Sequence, residues 1–162
     1  MESKVKKYTR VYADINLDNI EYNVRALMAL TKPGTKAMAV VKADAYGHGD
    51  VAVAKAVNDI VDAYAVATVE EGINLRQNGI EKMILVLGYV DEMHYDQVIR
   101  YALSIPVFDT EMAKKMSAAA VAAGENIRCH VKVDTGMHRI GLRPDDDGIK
   151  TVLALAKYDG LD

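Results

Sequence analysis

The chain has 162 residues, 51% of them hydrophobic and 27% charged, which suits one globular domain with a real core and is too short for two ordinary ones. Lysine and arginine total 20 against 23 acidic residues, a net charge of −3, so no basic excess exists to drive binding to nucleic acid or to an anionic membrane surface.

Residues 16–30 read as a helix, with Ile20, Val24 and Leu27 on one face and Asp18 with Glu21 as a capping pair; Pro33-Gly34 stops it. Residues 37–42 read as a buried strand, and 50–57 as a helix with Asp50 at its cap. A second strand spans 63–67, and Thr68 with Glu71 forms a capping box that opens a helix ending near Asn78-Gly79. A third strand at 83–87 is followed by a helix at 91–102, and a fourth strand covers 104–108. Asp109 caps an alanine-rich helix that stops at Gly124, a fifth strand covers 128–133, and 145–157 forms a last helix. Residues 10–15 are a possible leading strand.

Strand starts lie about 20 to 26 residues apart with a helix between each pair, the rhythm of a parallel α/β sheet. The strands are continuous apolar runs, as buried parallel strands should be. A doubly wound sheet and a (β/α)8 TIM barrel both fit. The glycine-rich dinucleotide fingerprint is missing after the first strand, and the unusual polar residues gather past the strand C-termini: Lys42 to His48, Gly88-Tyr89, Asp109, and Asp134 to Arg139. Barrel active sites are built at that face, so the barrel is favoured. A complete barrel needs eight strands and typically about 250 residues. The expectation is therefore that residues 1–162 are the incomplete N-terminal part of a barrel domain, stopping where a sixth strand begins. A part-barrel leaves sheet edges uncovered, which predicts self-association or partial order beyond the fifth strand.

Cys129 is the single cysteine; it permits no intramolecular disulfide, suits a reducing cytoplasm, and in its apolar-alternating run reads as a buried, inert thiol. The basic start, Met1 to Lys7, is not followed by the apolar stretch of a signal peptide. No segment approaches a membrane-spanning length. The four histidines and the cysteine show no metal-ligand spacing, and His94 reads as a surface position on a helix.

The chemistry concentrates at Val40-Val41-Lys42-Ala43-Asp44-Ala45-Tyr46-Gly47-His48-Gly49. A lysine at the end of a buried strand is costly to bury, tends to have its pKa lowered, and then suits imine formation with an aldehyde. The alternative is that Lys42 only points its amine into solvent. The glycines let the backbone turn tightly beside a ligand.

That run resembles the pyridoxal phosphate attachment signature of the alanine racemase family. His130-Val131-Lys132-Val133-Asp134-Thr135-Gly136-Met137-His138-Arg139-Ile140-Gly141 resembles the family's second conserved segment. The opening Tyr12-Ala13-Asp14-Ile15-Asn16-Leu17, followed by Ile20-Glu21-Tyr22-Asn23, is a weaker third match. The three occur in family order and cover essentially the whole chain.

The resemblance implies a barrel that binds pyridoxal 5'-phosphate, with the family's C-terminal β domain absent from this chain. Lys42 would carry the cofactor as a Schiff base and serve as one of two acid/base groups. Tyr46 would hydrogen-bond the cofactor phosphate, its alternative being a plain rim aromatic. Arg139 would contact the substrate carboxylate, and Lys132 would be a site of N6-carboxylation whose carbamate steadies Arg139. Asp134 and Thr135 more simply cap the loop that follows them, and His48 shapes the turn. His138 stands where many alanine racemases have a small residue; a histidine there is familiar in serine/alanine racemases. The implied activity is interconversion of L- and D-alanine for peptidoglycan, by a cytoplasmic homodimer with shared active sites. The family's opposite-face tyrosine comes from the partner's C-terminal domain, so the chain alone is expected to be inactive. The alternatives are a serine racemase of the same family and a non-catalytic pyridoxal phosphate carrier on the same barrel.

Overall fold

The computed structural model describes residues 10–162; the basic start of the chain lies outside the described residues. Five strands, β1 (Met38–Val40), β2 (Ala63–Val66), β3 (Met83–Val86), β4 (Ser104–Val107) and β5 (Arg128–Val131), form one sheet in sequence order. Every neighbouring pair is parallel. Each connection crosses over through helix: α2 (Lys42–Gly47) and α3 (Asp50–Val57), then α4 (Val69–Gln77), then a 3₁₀ turn (Glu92–His94) with α5 (Tyr95–Arg100), then α6 (Thr110–Ala123). α1 (Leu17–Ala29) precedes the sheet and α7 (Asp146–Leu155) follows it. This is the N-terminal portion of a (β/α)8 barrel, with five of its eight strands. Beyond β5, Leu161 pairs in parallel with Ile127, and Cys129 N donates to Asp162 O at 2.7 Å. The outer edge beside β5 is thus met by an isolated parallel bridge at residues 161–162.

The register tells which side chains face inward. Met38 pairs with Ala63, Val40 with Ala65, Leu85 with Ser104, and Pro106 with His130, and these lie on the concave face by strand alternation. The opposite phase, including Tyr64, Ile84, Val86 and Ile105, is buried against the helices. Tyr64 fixes the sense of that face, because its hydroxyl donates to Ala54 O of α3 at 2.7 Å. Burial pushes the Tyr64 phenol up to about 12.

Several elements depart from the sequence reading for local reasons. The capping residue of α1 is Asn16, whose side chain accepts from Asn19 N at 3.0 Å; Glu21 instead pairs with Arg25. Residues 10–15 form no strand, and β1 is shorter and more open than expected: Met38 and Val40 are 36% and 43% exposed. The apolar run anticipated a neighbour on both sides, but β1 is the sheet edge. Asp50 is the first residue of α3 and Gly49 its N-cap. The expected helix at 91–102 is divided into the 3₁₀ turn and α5. By contrast Asp109 caps α6, accepting from Met112 N at 2.7 Å, and Gly124 ends it in the left-handed conformation, as read. No helix of the described residues is long and apolar enough to cross a membrane.

Candidate cofactor site

Strand β1 delivers Lys42 to the C-terminal rim of the sheet. Lys42 lies two residues past Val40 and is half-buried. It opens a turn in which Ala43, Asp44, Ala45 and Tyr46 are all left-handed, with φ of 51°, 54°, 51° and 56°. None is glycine, and each such residue costs roughly 1–2 kcal/mol, so the turn persists only because its surroundings hold it. Ala45 N donates to Val41 O and Gly49 N to Asp44 O, both at 2.9 Å. Asp44 Oδ1 accepts from Asp50 N at 3.0 Å, and His48 Nδ1 lies 2.9 Å from Ala45 O. From α4, Glu71 Oε1 accepts from Ala43 N at 2.8 Å and Oε2 from Ala67 N at 2.6 Å. Asn74 Nδ2 of the same helix donates to Asp50 Oδ2 at 2.9 Å.

The Lys42 ammonium stands 6.0 Å from the ring centroid of Tyr46, which is itself 62% exposed. Lys42 shares a cleft with Ala67, Leu87, Gly88, Tyr89, Ile140 and Arg139. The cleft measures about 210 Å³, below the roughly 300–1,000 Å³ of a closed ligand pocket; it is one wall of a site. Gly88 keeps that wall flat, since a Cβ there would sit 2.7 Å from Ala67 O.

Arg139 reaches the cleft from the β5–α7 loop. The loop is pinned at its base by Asp134 N to Leu142 O and Leu142 N to Lys132 O, both 2.8 Å. Gly141 is required at that crossing: its φ is +129°, and a Cβ would sit 2.6 Å from Asp134 N. Asp134 organises the tip, accepting from Gly136 N and His138 N at 3.0 Å each. The backbone N–H groups of His138 and Gly136 hold the Asp134 carboxyl below the usual carboxylate range. The His138 imidazole rests 3.4 Å from Asp134 Oδ2 and does not line the cleft of Lys42.

The structure thus brings Lys42, Tyr46 and Arg139 to one rim. Lys132, just past β5 on the inward phase, is exposed, as is Arg139; neither takes part in an ion pair among the described residues. His94 is part-buried rather than superficial, 3.5 Å from Glu70 Oε1. Cys129 is half-buried, and burial, then the charge of Asp162, pushes its thiol up. Among the described residues no group of three or more His, Cys, Asp or Glu is arranged to hold a metal.

The residue that sequence reasoning missed is Glu71. It was legible only as the second member of a capping box, and Thr68 Oγ1 does accept from Glu71 N at 3.4 Å. Its carboxylate, however, serves Ala67 and Ala43 instead of the helix cap.

The family model "Alanine racemase, N-terminal domain" matches residues 15–162. The alanine racemase of Desulforamulus reducens is 39% identical over 153 residues, covering 94% of this chain and 41% of that protein. The serine/alanine racemase of Enterococcus gallinarum is 41% identical over 135 residues, covering 83% of this chain and 19% of that protein. A solved structure of Clostridium difficile alanine racemase in complex with cycloserine superposes with a TM-score of 0.89 at 41% identity, covering 91% of this chain and 41% of that one. The chain therefore spans about two fifths of the alanine racemases it matches. By sequence and by fold, it belongs to the alanine racemase family and corresponds to the N-terminal barrel portion of those enzymes.

Proposed function

We propose that this chain is the cofactor-binding part of a pyridoxal 5'-phosphate-dependent racemase that interconverts L- and D-alanine. The observation that carries the reading is the single cleft shared by the Lys42 amine and Arg139, with Tyr46 beside the lysine. The residues present fit a flat, anionic aldehyde: an amine at one end, a phenol near it, and apolar side chains of Ala67, Leu87 and Ile140 along the wall. The wall is kept free of a side chain at Gly88.

Bound pyridoxal phosphate supplies an electron sink that delocalises the charge left when the α-proton departs. Lys42 would hold the aldehyde carbon covalently and, once freed by the amino acid, take or return a proton at the substrate Cα from one face. The Tyr46 phenol would donate to the phosphate. Arg139 would grip the substrate carboxylate, which a guanidinium can do with two parallel hydrogen bonds. Carbamylation of Lys132 would replace a cation by an anion and steady Arg139. Inversion needs a second acid/base group on the opposite face. No tyrosine of this chain is assigned to it; the family draws it from a partner's C-terminal domain, which supports a homodimer, and a cytoplasmic enzyme supplying D-alanine for peptidoglycan is the role proposed for it. The Enterococcus gallinarum relationship supports serine as the second substrate to test.

After free cofactor is removed by gel filtration, the chain loaded with pyridoxal phosphate should retain visible absorbance, and Lys42→Ala should not. The loaded chain should form no D-alanine from L-alanine and no D-serine from L-serine. Absorbance that persists in Lys42→Ala would overturn the cofactor assignment, and robust D-alanine formation would overturn the need for a partner-borne group.

A further inference from the structure

We propose that Glu71 is a positioning residue for Lys42, acting through the backbone; this rests on the reading of Lys42 as the cofactor lysine. The ladder between β1 and β2 divides at Val41. In a parallel ladder a residue bonds through its N–H to one partner and through its carbonyl to the partner two residues on. Val41 makes the first bond, with Val41 N donating to Ala65 O at 2.9 Å. The second would run from Ala67 N to Val41 O. Instead Val41 O accepts from Ala45 N inside the left-handed turn, at 2.9 Å. Ala67 N is left without its rung, and Ala43 N, at the start of the turn, precedes the turn's own bonded amides. One carboxylate satisfies both: Glu71 Oε2 at 2.6 Å from Ala67 N and Oε1 at 2.8 Å from Ala43 N.

Ala43 is the residue after Lys42, so Glu71 grips the chain immediately beyond the cofactor lysine and ties it to the end of β2. Ala67 also lines the cleft that Lys42 enters. The two bonds therefore set the distance between the lysine's backbone and the opposite wall. They also bind a turn of four left-handed non-glycine residues, which local preference alone disfavours. Asn74, three residues further along α4 and so on the same helix face, adds the bond to Asp50 that secures the far end of the turn. Glutamate suits the task because two N–H groups need an acceptor with two oxygens; glutamine offers one oxygen and turns an N–H₂ toward an N–H.

The test compares the intact chain with Glu71→Gln, Glu71→Asp and Arg76→Lys, the last being a stability control remote from the rim. Amide hydrogen exchange without cofactor should show Ala43 and Ala67 exchanging at least tenfold faster in Glu71→Gln, with the strands of the core unchanged. Pyridoxal phosphate titration, followed by borohydride reduction and peptide mapping, should show attachment at Lys42 falling at least tenfold in Glu71→Gln. Glu71→Asp should fall between it and the wild type, and Arg76→Lys should keep wild-type attachment. Unchanged exchange at both amides, or unchanged attachment at Lys42 in a folded Glu71→Gln, would overturn the proposal. A wild-type chain that is not labelled at Lys42 would overturn the cofactor reading instead, and hydrogen exchange would then judge the anchor by itself.

Discussion

The two ends of the parallel sheet use charge in opposite ways, and one helix serves both. At the N-terminal end, Arg76 near the end of α4 donates to four backbone carbonyls: Ile80 at 2.6 Å, Lys82 at 2.7 Å, Tyr101 at 2.9 Å and Ala102 at 3.0 Å. The Lys82 amine does the same for Asn58 O and Val61 O. Both side chains are consumed in closing loops that precede β2, β3 and β4. At the C-terminal rim, Glu71 near the start of α4 closes two amides, but Arg139 stays exposed, the Lys42 amine faces a cleft, and the backbone directly after Lys42 is left-handed. The lower end spends its cations on stability. The upper end keeps them available for a ligand and gathers a run of four left-handed non-glycine residues, 43–46, whereas the lower end has a single one, Ala102, whose carbonyl Arg76 holds. That division matches the general rule that barrel function sits at the strand C-termini and barrel stability at the other end.

Substitutions at each end should break the comparison in different observables. Lys42→Ala should abolish covalent attachment of pyridoxal phosphate while leaving the denaturation midpoint of the chain near wild type. A large stability loss in that variant would mean the lysine is structural. Arg76→Ala should do the reverse, costing at least about 3 kcal/mol, because hydrogen bonds to a charged group contribute roughly 1.5–3 kcal/mol each and several carbonyls lose theirs together; urea denaturation measures it. Gly88→Ala should cost about 1–3 kcal/mol by overpacking against Ala67 O, and should weaken cofactor binding as well, since the new methyl enters the cleft wall.

Acidification should loosen the Arg139 loop. The Asp134 carboxyl is held below its ordinary range by the His138 and Gly136 amides, so its stabilising contribution is present above the ordinary carboxylate pKa and is lost as pH falls through the lowered value. Exchange of the Gly136 and His138 amides should rise over that window, beyond the intrinsic pH dependence of exchange, and Asp134→Asn should remove the extra rise. The smallest effect is at Cys129, where the raised thiol pKa should make alkylation at neutral pH slower than that of an unstructured cysteine.

Much of this was legible in the sequence, for reasons specific to each element. Asp109 and Gly124 bracket α6 because cap chemistry is local and needs no tertiary partner. Lys42, Tyr46 and Arg139 stand out because their segments carry a long, unusual pattern of residues, and the fold brings the three to one rim. What escaped is what depends on neighbours. The openness of β1 follows from its place at the sheet edge, and apolar content alone does not reveal an edge. The left-handed run at 43–46 has no glycine to announce it. The Glu71 bridge spans 28 residues to Ala43, so its local resemblance to a capping box concealed its tertiary role. The His138 imidazole turns to Asp134, a contact within the loop that the family pattern did not suggest.

The central claim is that Lys42 carries the cofactor, and borohydride reduction of the pyridoxal phosphate-loaded chain followed by peptide mapping tests it most directly. The pyridoxyl group is expected on the peptide containing Lys42, in stoichiometric yield and at no other lysine to a comparable extent. Labelling spread over surface lysines, or concentrated at Lys132, would contradict it.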